Sequence, residues 1–401
     1  MKYSLRTALL ALLMVPMACD GGGVTDPDPP PVMPSVPIQI PVLGQGVVAE
    51  RYTSELWVQN GWGYTGTWGR RGATVGNALK IWDVTGNTPV LRDSVLVSDA
   101  TTLGDVQVSD DGRTLVVATE GGRGSIVVYD LTGNPGSPRE IVRHSSANTQ
   151  SGVHTADLAR VNGRLLAFLS ITSRGTVVIV DLSNPASPRE LSVTTTGTPF
   201  THDVFVRDGL LFAAGWNGGT TLWDIGGAGV GGSPEAPARM ATFATVGGKA
   251  HNAWWFHDPR TGSKRYLFVG EEGPANIPVS SSGDIHVVDI ADPLNPREVA
   301  FFSIPGAGTH NFSVDEASGI LYAAYYNGGV RALDIRGDLS ACTADQRDAL
   351  GRCDLRKMGR EVGLALANGP YIWGVQLVGR ELYASDMIGG LWKLNVSSLA
   401  R

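Results

Sequence analysis

The chain has 401 residues, a formal net charge of −6 and a hydrophobic share of 42%. That apolar share excludes wholesale disorder, and the lack of any basic cluster argues against a nucleic-acid partner. The 52 glycines and 23 prolines are spread along the whole length, which points to many tight turns and therefore many short strands.

At the N-terminus, Lys2 and Arg6 accompany a short apolar run, Ala8–Val15, which is too brief to span a bilayer as a mature helix. Ala18 then stands before Cys19. The arrangement resembles a bacterial lipoprotein signal. That likeness implies that residues 1–18 are a leader, that Cys19 carries lipid, and that the protein is exported and anchored to a membrane, facing the periplasm or the cell surface. Pro16 fits that signal poorly, so ordinary leader cleavage nearby is the alternative. Residues 19–41, rich in glycine, proline and acid, have almost nothing to bury and read as a tether.

Internal repeats come next and set the fold. One line recurs with its tail: "LKIWDVTGNTPVL" (Leu79–Leu91), "IVVYDLTGNPGSPREI" (Ile126–Ile141), "VVIVDLSNPASPREL" (Val177–Leu191) and "IHVVDIADPLNPREV" (Ile285–Val299). Weaker copies are "TTLWDI" (Thr220–Ile225), "VRALDI" (Val330–Ile335) and "LWKLNV" (Leu391–Val396). Each copy reads as a strand buried on both faces, an aspartate, a turn and a further strand. Asp181 is placed to accept hydrogen bonds from amides of its own turn, while Pro185 and Pro188 fix φ and end the strand. Two more strands precede each copy, as in "DVFVRDG" and "LLFAAGW" about the Asp208–Gly209 turn.

The repeated aspartates are mostly 43 to 51 residues apart, with longer gaps from insertions at Asn276–Gly283 and around a cysteine pair. Seven units of four short antiparallel strands predict an all-β chain, a seven-bladed β-propeller over residues 42–401. A β-solenoid is the alternative, but its repeats are shorter. The last unit ends at its third strand, and "GQGVVAERYT" (Gly44–Thr53) precedes the first. An N-terminal strand is therefore expected to complete the last blade and close the ring.

The line "VVIVDLSNPASP" resembles the signature of the LVIVD-repeat family, propeller modules of exported bacterial and archaeal proteins. The likeness covers Val42–Val396 and is strongest in the second, third and fifth units. It implies the fold and export, but no single activity. The strand pattern also resembles WD repeats, yet the Asn-Pro turn fits the LVIVD line better.

Histidines return at one place in the repeat, in "THDVFVRDG" (Thr201–Gly209), "AHNAWWFHD" (Ala250–Asp258) and "THNFSVDEA" (Thr309–Ala317). His202, His251 and His310 stand at the head of the innermost strand, followed by Asp203, Asn252 and Asn311. Trp373 takes the place in the seventh unit, Gly104 before Asp105 in the second, and Ala156 before Asp157 in the third, with His154 on the same loop. Neighbouring loops bring Trp216, Glu271, Glu272, Tyr326 and Asp386 to the same face, with Arg123 and Arg174 nearby. Convergent histidine, carboxylate and aromatic groups over a concavity are what a ligand site requires.

Three readings stay open: pegs that brace turns, a zinc, copper or iron site on His154, His202, His251 and His310, or metal-free binding of a small molecule or protein. Four histidines about a propeller axis are also found in carotenoid-cleaving propellers, which this chain resembles in that arrangement alone. The leading expectation is a surface-tethered binding module, and the alternative is a metal-dependent exported enzyme. Trp254 and Trp255 are placed to stack on a ligand beside Trp373. Of the remaining histidines, His257 is expected to be exposed in a hairpin turn, and His144 and His286 to be packing or solvent residues.

The chain has three cysteines. With Cys19 acylated, Cys342 and Cys353 remain as a pair in an oxidising compartment. Ten residues of helical composition lie between them, beginning at Thr343. A disulfide stapling a small helical insertion at 338–356 is the expectation. No nucleophile elbow, phosphate loop or dinucleotide fingerprint appears in suitable context.

Overall fold

A computed structural model describes residues 36–367 and 369–399. Residues 1–18, expected to be a leader, and Cys19 lie outside the described residues. Seven sheets follow one another around a ring, each with four antiparallel strands at its centre, which in six of them come from one stretch of chain. The inner strands, in chain order, are Tyr52–Gln59, Thr102–Val108, Ala156–Val161, Asp203–Arg207, Ala250–Trp255, Phe312–Asp315 and Ile372–Val378. The seventh blade takes its outer strand from Val42–Val47, which pairs antiparallel with Gly390–Asn395. The expected ring closure is thus present. No described helix is long and apolar enough to cross a membrane.

The repeat line folds as it does for local reasons. Its β-branched residues fill the third strand, as in Thr176–Asp181, which is buried over its first five residues. The closing aspartate then accepts amides of the turn: Ser183 N–H donates to Asp181 Oδ1 at 2.9 Å and Thr132 N–H to Asp130 Oδ1 at 2.9 Å. The arginine of the tail reaches back to the other oxygen, at 2.7 Å for Arg139 on Asp130. Within the repeat line, the third strand's pairing with the outer strand slips by one residue at the same place in blade after blade, for example at Ile179/Val180 and Leu222/Trp223. A bulge there adds local twist, which lets each sheet fan outward.

Seven apolar clusters each join two consecutive blades. One packs Tyr64, Leu79 and Ile81 of the first blade on Val106, Val117 and Val127 of the second. Another closes the ring by joining Leu56, Val58 and Trp82 to Tyr383 and Leu391. Burial between neighbours, not within a single blade, holds the ring, so no blade is a separate folding unit.

Two expectations are corrected at the ring's outer edge. The tether does not run to residue 41: Ile38–Gln39 pairs parallel with Gly363 and Leu364 on the edge of the sixth blade, and Ile40 is buried there. The segment between the cysteines is not helical beyond one 3₁₀ turn, Ala344–Gln346, at whose start Thr343 N–H donates to Gln346 Oε1. The Cys342–Cys353 disulfide is present, but its segment is not a free excursion. Cys353–Asp354 adds a short parallel strand to the fifth blade, and Leu339, Cys353 and Leu355 are fully buried in the cluster between blades five and six. Blades five and six therefore have five strands.

Closing an 11-residue separation constrains the unfolded chain by about 3 kcal/mol at most. The buried anchor residues give the segment a second hold. We expect the Cys342→Ser/Cys353→Ser variant to lose protection at 340–358 in hydrogen exchange while the seven sheets keep theirs. Loss of protection throughout the ring would show that the segment is part of the global folding unit.

Candidate functional site

The inner strands enclose a channel whose cavity measures about 410 Å³. Its residues change in kind along the strands. At the strand heads stand His154, His202, His251, His310 and Trp373; one residue on come Glu55, Asp105, Asp157 and Asp203; farther along are Trp57, Gln107, Phe205, Trp254, Gln376 and Leu377. The last group is half-exposed, whereas His202, His251, His310 and Trp373 are buried and His154 nearly so. The imidazoles therefore form the closed end of the channel, not an open mouth as the sequence suggested.

The strand head of the fifth blade bulges at its histidine. Ala250 pairs with Glu271 and Asn252 with Gly270, which leaves His251 out of the ladder, and Trp373 is left out in the same way between Ile372 and Gly374. A bulge re-aims a side chain, and here it turns the ring inward. The four imidazoles make a continuous arc: ring centres lie 4.3 Å apart for His154 and His202, 4.1 Å for His202 and His251, and 4.0 Å for His251 and His310. Trp373 ends the arc, 4.3 Å from His310, and Trp216 stacks on His202 at 5.2 Å. Trp216 and Tyr326 have positive φ (52° and 42°), which is costly for aromatic residues. Each is held there by two backbone hydrogen bonds to the next blade, Trp216 with Ala250 and Tyr326 with Ile372.

A turn peg would show a hydrogen bond from the ring to backbone. His251 is 1% exposed, yet neither of its ring nitrogens has a partner, and Nδ1 of both His202 and His310 is unpartnered as well. The peg reading fails at His251. His154 Nδ1 meets Glu120, and its Nε2 faces His202 Nε2 at 3.0 Å. Glu272 lies against two rings, with its Oε2 3.7 Å from His202 Nε2 and 3.8 Å from His251 Nε2, while Tyr326 Oη donates to its other oxygen. Burial, together with repulsion between neighbouring rings, holds His202, His251 and His310 well below the usual histidine range. Burial alone would lower His154, but the Glu120 carboxylate lifts it above that range.

The carboxylates of the next layer stitch blades together and also repel one another. Asp105 Oδ2 accepts Ala156 N–H at 2.9 Å and Asp157 Oδ2 accepts Val206 N–H at 2.6 Å, each from the following blade. Asn311 donates to Glu55. The seventh blade offers Gly374 at this level because a Cβ there would lie 2.1 Å from Glu55 Oε1. Burial, then the charge of Asp105, raises Glu55 to about 8 and both Asp157 and Asp203 to about 7; burial raises Asp105 to about 6. Among the described residues, no lysine or arginine lines the cavity.

These carboxyls bind protons more tightly folded than unfolded, so they favour the folded state at low pH and cost stability as pH rises from about 4 towards 8. The buried histidines held neutral work the other way, so the carboxyl share is read as a difference between two proteins. From pH 5 to pH 6.5, metal-free wild type should lose at least roughly 1 kcal/mol relative to the Glu55→Gln/Asp157→Asn variant in urea unfolding, giving the two a different slope. An unchanged slope in the variant would place the titrating groups elsewhere.

Several expected site residues lie apart from this arrangement. Glu271 turns away and pairs with His286 at 3.3 Å, inside the fifth blade. Asp386 caps a turn, accepting Tyr371 N–H and Ile388 N–H at 3.1 Å each. Trp255 donates to Lys264 O and packs between blades four and five. Arg123 and Arg174 are exposed. His257 is half-buried, edge-on to Trp255 at 4.3 Å, instead of exposed. Sequence reasoning missed Glu55 and Glu120. Asp105 and Asp157 were aligned with Asp203 but not recognised as one charged layer. No family model matches the chain, and neither does any curated protein.

Proposed function

We propose that this chain is an exported, lipid-tethered propeller of the LVIVD-repeat kind, a binding module whose channel takes a positively charged ligand. The observation that carries the reading is the cavity wall: four carboxylates and four imidazoles converge with no cationic side chain among them. Ionising those acids together is unfavourable in a buried site, and a bound cation relieves the repulsion. The ligand comes from the half-exposed end, past the aromatic side chains of Trp57, Phe205 and Trp254, a residue type that attracts cations.

The test is thermal unfolding of metal-free protein at low ionic strength with Co²⁺, spermidine, citrate and glycerol added separately. We expect one or both cations to raise the midpoint, since a ligand that binds only the folded state stabilises it, and citrate and glycerol to leave it unchanged. No shift with either cation would overturn the reading. The anchoring is tested separately. The mature protein should partition into detergent, and Cys19→Ser should abolish this; wild-type protein recovered in the aqueous phase with an N-terminus beyond Cys19 would refute lipidation.

A further inference from the structure

We propose that the closed end of the channel is a binding site for a first-row transition metal ion, with His202, His251 and Glu272 as its nearest ligands, His154 as the fourth and Glu120 orienting His154. The proposal deepens the cation-binding reading by naming which cation binds and which groups hold it.

The ligand atoms of His202, His251 and Glu272 all lie within 4.8 Å of one another. Two ligands bound to one ion at about 2.0–2.1 Å each stand roughly 3–4 Å apart, and the 3.7 and 3.8 Å separations from Glu272 fall in that range. His154 joins through its Nε2, 3.0 Å from that of His202.

The hydrogen count points the same way. His154 Nδ1–H is directed at the Glu120 carboxylate, and its Nε2 faces another imidazole nitrogen. Without an ion, a proton on one ring or the other must fill that contact, and His202 Nδ1 is unpartnered either way. At His251 one nitrogen must carry a proton, yet neither has an acceptor. An unpaired buried polar group costs about 1–3 kcal/mol. An ion placed among the facing nitrogens takes the Nε2 lone pairs of His154, His202 and His251 together.

The surroundings have the form a metal site takes. A ligating histidine commonly gives its other N–H to a carboxylate, as His154 does to Glu120. Tyr326 Oη donates to the Glu272 oxygen not facing the rings, and Trp216 packs on His202 and Trp373 on His310. Three imidazoles with one carboxylate suit zinc, copper or iron, and do not suit magnesium or calcium. His310, 4.0 Å from His251, borders the set and is the nearest further imidazole.

The test uses chelator-stripped protein made without a histidine tag and titrated with Co²⁺. We expect one ion per chain by elemental analysis after desalting, with the visible d–d absorption of nitrogen-ligated cobalt. The His202→Gln/His251→Gln variant should bind at least 100-fold more weakly, and Glu120→Gln, acting only through His154, about 10- to 100-fold more weakly. Glu120→Gln lies at a half-exposed side chain, so it reports on the site even if the double variant fails to fold.

Cobalt that binds equally well in Glu120→Gln and in the double variant, but is lost in Glu55→Gln/Asp157→Asn, would overturn the histidine site and leave the cation-binding reading standing. No retained cobalt while spermidine still stabilises the fold would do the same. Failure of both cations would remove both readings.

Discussion

A chain that begins at Ala49 is expected not to fold cooperatively, whereas one that begins at Val36 should fold like the full-length protein. The outer strand of the seventh blade, Val42–Val47, is the only part of that blade drawn from the other end of the chain. Its removal leaves Gly390–Asn395 as an open edge and strips the ring-closing cluster of Val48. The close fit of Gly46 against Trp82 is lost as well: a Cβ at Gly46 would lie 2.4 Å from the indole ring. Some half-dozen lost ladder bonds at roughly 1 kcal/mol each, with the uncovered apolar surface added, are comparable to the whole stability of an ordinary domain. Circular dichroism on heating and limited proteolysis read the outcome. A sharp transition within a few degrees of the longer chain would show that seven blades hold without this closure.

The second large effect lies at His286. The side chain is fully buried in the third strand of the fifth blade, with Nδ1 2.8 Å from Glu298 and Nε2 3.3 Å from Glu271. Burial works against its charge, but the two carboxylates outweigh burial and raise it to about 9. It is therefore an imidazolium at neutral pH. Arg352 pairs with Glu298 and with Asp348 at 2.7 Å, so the same network ties the disulfide-bearing segment to the fifth blade.

His286→Leu removes the cation between two carboxylates and should cost about 3–5 kcal/mol. The sign with pH follows from the raised value. The stabilisation is fully present below the unfolded value near 6.5 and disappears as pH rises through 9. Urea unfolding of wild type and variant at pH 6 and pH 9.5 measures it. We expect the gap between them to be several-fold smaller at the higher pH. A gap of equal size at both would mean that packing, not charge, is what the ring contributes.

The blade count, the ring closure and the disulfide were legible in the sequence because each rests on a short-range signal that the repeats multiply. An Asx turn after a β-branched strand reads the same wherever it occurs. The strand missing from the seventh unit could be matched to the apolar stretch before the first. The disulfide followed from there being two cysteines left to pair.

What the sequence did not show depends on register. One slipped residue turns a side chain to the other face, and the bulge at His251 does this for a single position that no pattern marks. Glu271 and Glu272 illustrate the point. They are adjacent and chemically alike, yet one meets His286 inside the blade and the other meets His202 and His251 at the channel's end.

The charged layer was hidden for a related reason. Asp105, Asp157 and Asp203 could be aligned by counting from the histidine place, but Glu55 sits in a strand head where pairing slips between Thr53 and Leu56, so counting places it out of step. The role of the histidines was undecided for another reason. A recurring residue at a recurring place suggests a structural peg, and only ring nitrogens without partners argue against that.

Diffraction at the cobalt edge from crystals grown with Co²⁺ tests the channel as a cation site most directly. We expect a strong anomalous peak at the closed end of the channel, about 2.0–2.2 Å from nitrogens of His202 and His251 and within reach of Glu272. A channel without a peak, in crystals where cobalt occupies only surface carboxylates, would contradict it.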